Sequence, residues 1–328
     1  EFKMPPSYLV YEDSTVYAQP AFRLMALVDL PLADPKARQA MSALLDVFLE
    51  FASPELALFA HAGGKIKALK PETFSPKIVA KARKRIEEGD WPWPSTMRFY
   101  GHFEDPHPSV APPHLRFEER GQLSTVQIEL PHDAESLVDF ANRVQSVLLD
   151  LPVLWGVVGY GMYQPVSIDS LIWMLPRVTP RYRCAIEVQP DRAESSLRRS
   201  ARLEELRLKI TPVFTLPDIG WRTFIGDEFL PRLPDLPALA SQPGITLSRG
   251  DSFTVVQAGA APIWGDVNMA EDITPYRAVA HALKPCKPEW IRVRNGLFGG
   301  YENDNGLERI EQWYHRWFSY SKWRYTWL

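Results

Sequence analysis

Ile219-Gly220-Trp221-Arg222-Thr223-Phe224-Ile225-Gly226-Asp227 opens the stretch, running on to Leu283, whose reading decides the fold. Its large apolar residues alternate as in a half-buried strand, and Gly226-Asp227 is a turn pair that ends it. Ile245-Thr246-Leu247 and Phe253-Thr254-Val255-Val256-Gln257 are β-branched runs separated by Arg249-Gly250-Asp251-Ser252, the signature of a hairpin. The second run leads into the Gly/Pro-rich loop Ala258-Gly259-Ala260-Ala261-Pro262-Ile263-Trp264-Gly265-Asp266, whose small residues let a backbone lie close against something else. Thr274-Pro275 then caps and starts a helix whose apolar face is Tyr276, Val279, Ala280 and Leu283.

Toward the N-terminus the pattern is strand-helix-strand. The apolar run Phe22 to Leu30 predicts a strand ended by Pro31, and Asp34-Pro35 offers a cap with proline at the first helical position. Ala37, Ala40, Met41, Leu44, Leu45, Phe48 and Phe51 then share one helical face before Pro54, with a second strand over Leu56 to Ala62. The same order returns: Ile128-Glu129-Leu130-Pro131 echoes Val28-Asp29-Leu30-Pro31, Asp133 echoes Asp34 as a cap, and Leu137, Phe140, Ala141, Val144, Val147 and Leu148 form the helix face. Pro152 and the strand Leu154 to Tyr163 complete the second unit. Matching order and offsets suggest an old duplication, and parallel strands in such units would cross over right-handed.

Between the units, Ser75 to Asp90 reads as a helix whose Lys77, Lys81, Arg83, Lys84 and Arg85 are balanced by Glu87, Glu88 and Asp90, so it is a solvated face. Met97 to Phe103 and Leu123 to Leu130 are expected to pair as antiparallel strands across the polar, proline-rich stretch 104–121. Beyond Tyr163 come a short helix over 169–175, a strand near 184–188, a mixed-charge helical or irregular stretch over 191–208, a strand over 290–293 and a terminal aromatic helix carrying Trp313 and Trp317. The expected class is α+β: repeated strand-helix-strand units packed as mixed sheets with helices, in two similar halves, residues 4–164 and 165–328.

Composition narrows the function classes. The chain has 328 residues, 45% apolar and 23% charged, which suits a globular protein with a sizeable core. A formal net charge of −3 supplies no footprint for nucleic acid. No apolar run reaches the roughly 18 residues needed to span a bilayer. Cys184 and Cys286 have no ligand-spaced neighbours and read as reduced thiols, which points to the cytoplasm. Glu1-Phe2-Lys3 reads as a cloning remnant before a start at Met4, although a removed signal peptide would leave the same beginning.

Chemistry-bearing constellations are sparse. His102, Glu104, Asp105, His107 and His114 gather in the proline-rich stretch, but no second cluster completes a metal site. Asp227 and Asp266 could form an acid-base pair beside His281, yet both follow glycine, where aspartate suits turn geometry. Gly156, Gly159 and Gly161 lie in a strand-like run without the order or the helix of a phosphate loop. No catalytic residue, cofactor or metal is expected.

The segments Trp221 to Asp227, Gln257 to Gly259, Pro262 to Asn268 and Pro275 to Ala280, in that order and spacing, resemble the type VI secretion immunity family, with its TsiV and TsiT branches. The likeness is close only over this stretch and departs at Trp264, where a smaller aliphatic residue is expected. The resemblance implies a cytoplasmic protein that binds a cognate effector, such as a nuclease, and blocks its toxicity without chemistry of its own. Such an interface would bury about 1,600 Å² or more in total and dissociate slowly. A nuclease's basic cleft would be matched by acidic groups, which nominates Glu118, Glu119, Asp227, Glu228, Asp266, Glu271 and Asp272, together with Trp264. The rival expectations are a metal-dependent or acid-base hydrolase using His102 and His107 or Asp227 and Asp266, and an adaptor that loads an effector for secretion.

Overall fold

A computed structural model describes residues 9–10, 16–52, 58–62, 72–89, 95–103, 109–120, 123–164, 178, 180–188, 215–287, 313 and 315–318. In chain order the elements are β1 (Leu9–Val10), β2 (Val16–Val28), α1 (Pro35–Ala52), β3 (Leu58–Ala62), β4 (Glu72–Thr73), α2 (Pro76–Glu88), β5 (Ser95–Phe103), β6 (Ser109–Arg120), β7 (Leu123–Pro131), α3 (Leu137–Leu148), β8 (Val153–Tyr163), β9 (Arg222–Gly226), β10 (Ile245–Arg249), β11 (Phe253–Ala258) and α4 (Thr274–Leu283). All eleven strands join one sheet in the order β10-β11-β9-β8-β2-β7-β6-β5-β3-β4, with β1 paired to the start of β2.

Every strand pair is antiparallel, so the expected mixed sheets are corrected to an antiparallel α+β sheet. The two strand-helix-strand units are present, but neither places its strands side by side. β7 and β8 run in the same direction with β2 between them, and β2 and β3 are separated by β7, β6 and β5. The described part of 165–328 contributes β9 to β11 to the same sheet, where β9 pairs with β8, rather than a second copy of the first units.

The helices follow from the predicted stripes. Asp34 Oδ1 accepts from the Lys36 amide at the start of α1, and Leu44, Leu45 and Phe48 turn inward. α3 packs beside α1 through Phe51 and Phe140, whose ring centroids are 5.3 Å apart. Phe22 on β2 reaches Phe140 in turn. Two expected caps are corrected. α3 starts from Ser136 in the left-handed region, so Asp133 belongs to the preceding turn, where the Ala134 amide bonds to Pro131 O. Thr274 lies inside α4, and Asp272 Oδ1 accepts from its amide. On α2, Arg83 pairs with Asp46 and Lys84 with Glu88 on the helix surface.

The largest departure is β6. The expected loop between β5 and β7 is a long strand that pairs with both. Its Pro112–Pro113 step and its polar residues His114, Arg116 and Glu118 disguised a period-2 alternation with the buried Leu115 and Phe117. The expected strand near 184–188 is reduced to bridges, Ile186 to Gly161 and Tyr182 to Asp266. Gly161 is required there, since a Cβ on it would lie 2.1 Å from Ile186 O. The expected elements over 169–175, 191–208 and 290–293 lie outside the described residues, while Trp313 and Trp317 are buried.

Candidate functional site

Two constellations of polar and aromatic side chains stand out. The first is a row of charges on the sheet face that turns away from α1 and α3. Cross-strand register places Tyr100, His114, Glu129, Arg23 and Gly159 opposite one another on β5, β6, β7, β2 and β8. His114 Nδ1 lies 2.6 Å from Glu129 Oε2, and Gln127 Nε2 donates to Glu129 Oε1 at 2.7 Å. Arg23 Nε approaches the same Oε1 at 3.4 Å and its Nη1 donates to Ile186 O at 2.8 Å. Arg98 Nε donates to His114 Nε2 at 3.2 Å, and Arg98 Nη2 donates to the Tyr163 hydroxyl.

A guanidinium can only donate, so His114 Nε2 must be an acceptor and Nδ1–H the donor to Glu129. The ring is therefore neutral. Burial is the main cause that drives its pKa down to about 4, with Arg98 and Arg116 acting in the same sense. Burial likewise pushes the Tyr163 phenol up to about 12. A histidine whose two nitrogens are both taken, and which is buried, has no free lone pair for a substrate or a metal. The row binds strands together.

It also sets a pH dependence. The unfolded chain takes up a proton on this histidine below about pH 6.5, whereas the folded chain resists until about pH 4. The unfolded state therefore binds more protons between these values, and stability falls as pH falls from 6.5 to 4, by up to about 3 kcal/mol. Denaturant titrations at pH 7.0, 5.5 and 4.5 should show this loss in the wild type and a smaller one in His114→Gln; identical pH profiles would refute it.

The second constellation lies at the Tyr163 end of β8, on the Gly/Pro-rich loop after β11. Trp264 stacks on Tyr160 with centroids 4.9 Å apart and planes 5° from parallel, while Tyr182 and His132 meet it at steep angles. The loop is pinned: Cys184 N donates to Trp264 O and Arg183 N to Gly265 O. Gly265 has φ +68°, and a Cβ on it would come within 2.7 Å of Cys184 Sγ. Asp266 is buried, accepts both Arg181 Nε and Nη2 at 3.0 Å, and its Oδ1 also accepts from the Asn268 amide. Glu271 Oε2 accepts from the Asp266 amide at 2.9 Å.

These contacts locate each nominated residue. Trp264, Asp266, Glu271 and Asp272 share this loop. Asp227 pairs with Arg249 across the hairpin, and Glu228 follows it at the end of β9. Glu118 is nearly buried against Arg116, and Glu119 accepts from the Leu32 amide at 2.6 Å. The acid-base pairing of Asp227 with Asp266 does not form. Asp227 follows β9, whose Ile225 pairs with Trp155, whereas Asp266 sits by the Tyr160 end of β8, about 17 Å along at 3.3–3.4 Å per residue. His281 packs instead against Phe318. His114 leaves the expected loop cluster for β6, and His102 lies on β5 opposite Val110. Glu104, Asp105 and His107 lie outside the described residues. Among the described residues, no group of three or more His, Cys, Asp or Glu side chains could hold a metal, Cys184 and Cys286 are buried free thiols, and no helix is long and apolar enough to cross a membrane.

Sequence reasoning passed over Tyr160, His132, Arg181 and Tyr182, because their meeting with Trp264 is long-range. The buried row had a signal: Arg23, Gln127 and Glu129 interrupt apolar strands with period 2.

Fold and site together define an α+β protein with one antiparallel sheet, a closed charge row and an aromatic loop. No family model matches the chain, and no curated protein matches it in sequence. Among solved structures it is similar in fold to a Pseudomonas aeruginosa T6SS protein, PA0821, with a TM-score of 0.67 and 17% identity, over 97% of this chain and 90% of that one.

Proposed function

We propose that this chain is an immunity protein of a type VI secretion system, which binds a cognate effector, a nuclease, in the cytoplasm of the producing cell and blocks its toxicity. The observation that carries this reading is the fold likeness to a T6SS protein over nearly the full length of both chains. It agrees with the resemblance carried by Trp221 to Asp227 and Pro262 to Asn268. A rigid, pre-formed surface suits the task, since little ordering entropy is then lost on binding. Protection of the producing cell requires slow release, and affinity among related complexes is tuned mainly through the off-rate.

The test is co-expression of the toxin candidate encoded beside this chain, with and without it, scored as colony counts. Growth lost with the toxin alone and restored by the pair is the expected outcome. Persistent killing would overturn the reading, and binding without rescue would favour an adaptor.

A further inference from the structure

We propose that the aromatic platform of Trp264, Tyr160 and His132, with the Glu271 carboxylate beside it, is the docking point for a lysine or arginine side chain on a basic face of the partner. The partner's identity as an effector rests on the reading above; the chemistry of the docking point does not.

All three rings keep part of their surface exposed, although Trp264 already touches Tyr160, Tyr182 and His132. Large aromatic residues held in place by their neighbours are the usual anchors of protein interfaces, because little rotamer freedom remains to be lost. Here the ring is fixed by stacking, its carbonyl by the bond from Cys184 N, and the next residue, Gly265, by the bond from Arg183 N.

Charge selects the occupant. Glu271 acts on the platform directly: after burial, its negative charge contributes to raising the Tyr160 phenol, and it does the same at Tyr182. Asp133 follows His132, Asp272 follows Glu271, and both are exposed, as is Glu135. Among the described residues, the basic side chain bonded within the cluster is Arg181, and its bidentate bond to Asp266 already engages it. Electron-rich ring faces beside a carboxylate attract a cation and repel an anion. The cluster already shows this preference internally, with the Arg181 guanidinium 5.0 Å from the Tyr182 centroid.

A capped tetra-arginine peptide is the probe, at low ionic strength, followed through the Trp264 indole N–H resonance, which is assigned by its loss in Trp264→Leu. The expected result is a saturable shift that is absent with tetra-glutamate, small with tetra-glutamine, and weakened about three- to tenfold in Glu271→Gln. No shift, or an equal shift with tetra-glutamine, would overturn the docking point. Thermal midpoints of both variants identify any that fails to fold, and Glu271→Gln retains an acceptor for the Asp266 amide.

A second arm uses the co-expressed toxin. If the wild type protects and the folded variants lose protection or bind at least tenfold more weakly, the docking point stands. If they protect and bind equally well, it falls while the immunity reading survives. A wild type that takes up the peptide yet does not protect would sink the immunity reading and leave the site.

Discussion

Glu129→Ala is expected to destabilise the protein by about 3–5 kcal/mol, because it leaves the Arg23 guanidinium buried without its counter-charge. At roughly 2.1 cal/mol/K per residue, that lowers the thermal midpoint by about 4–7 °C. Three donors lose an acceptor at once: Arg23 Nε, Gln127 Nε2 and His114 Nδ1. Only part of Arg23 is served elsewhere, by Ile186 O and the Met25 sulfur. Burial already pushes the Arg23 pKa down, and Glu129 is the first of the groups that oppose this. If the loss comes from an uncompensated charge, then Arg23→Met with Glu129→Leu, which removes both charges, should cost less than Glu129→Ala alone. A double variant as unstable as the sum of its parts would show instead that packing and neutral hydrogen bonds dominate. Denaturant unfolding of Arg23→Met, Glu129→Leu and the double variant, read as a thermodynamic cycle beside Glu129→Ala, decides between them.

That row explains where the sequence was legible. Apolar stripes at helical spacing specified α1, α3 and α4 because burial of one helix face is a local pattern, readable residue by residue. β9, β10 and β11 were legible for a similar reason, the hairpin being short-range and marked by Gly250. β6 was not. Its inward residues on the second face are His114, Arg116 and Glu118, which look like a solvated loop unless Glu129 and Arg23 are known to lie opposite. Strand neighbours were equally hidden, because the partition of β2 between β7 and β8 is decided by contacts far apart in the chain, from Val28 with Ser124 to Gln19 with Tyr163. At the candidate site, Trp264 was recognisable as an anomaly in its loop. The reason it stays half-exposed, a stack on Tyr160 from another strand, is tertiary. Of the nominated carboxylates, Asp266 is buried and held bidentately by Arg181, a pairing that cannot be read from spacing.

The Trp264 loop also leans on a second buried arginine, and Arg316→Ala is expected to weaken both stability and partner binding without touching the platform. Arg316 lies between the rings of Trp313 and Trp317, at 4.3 and 3.6 Å from their centroids, and its Nη2 donates to Asp218 Oδ1 at 2.6 Å. Its Nε donates to Arg183 O while Arg183 Nη1 donates back to Arg316 O, both at 3.0 Å. Arg183 is the residue whose amide holds Gly265 O, so the clamp reaches the loop through one residue. Removing it strands Asp218, whose pKa burial already pushes up against the pull of Arg316, and should cost about 3–5 kcal/mol. Adding Asp218→Asn removes the stranded charge, so the double variant should recover part of the loss, with a coupling of about 0.5–3 kcal/mol. Arg316→Lys keeps the charge but not the planar stack or the fork, and should recover less than half of the stability. Amide exchange at Arg183 and Cys184 is the deciding measurement. Faster exchange there in Arg316→Ala, together with weaker tetra-arginine binding, ties the platform's rigidity to the clamp. Unchanged exchange would mean that the loop is held independently of the clamp, by the ring stack on Tyr160 and the Arg181–Asp266 pair.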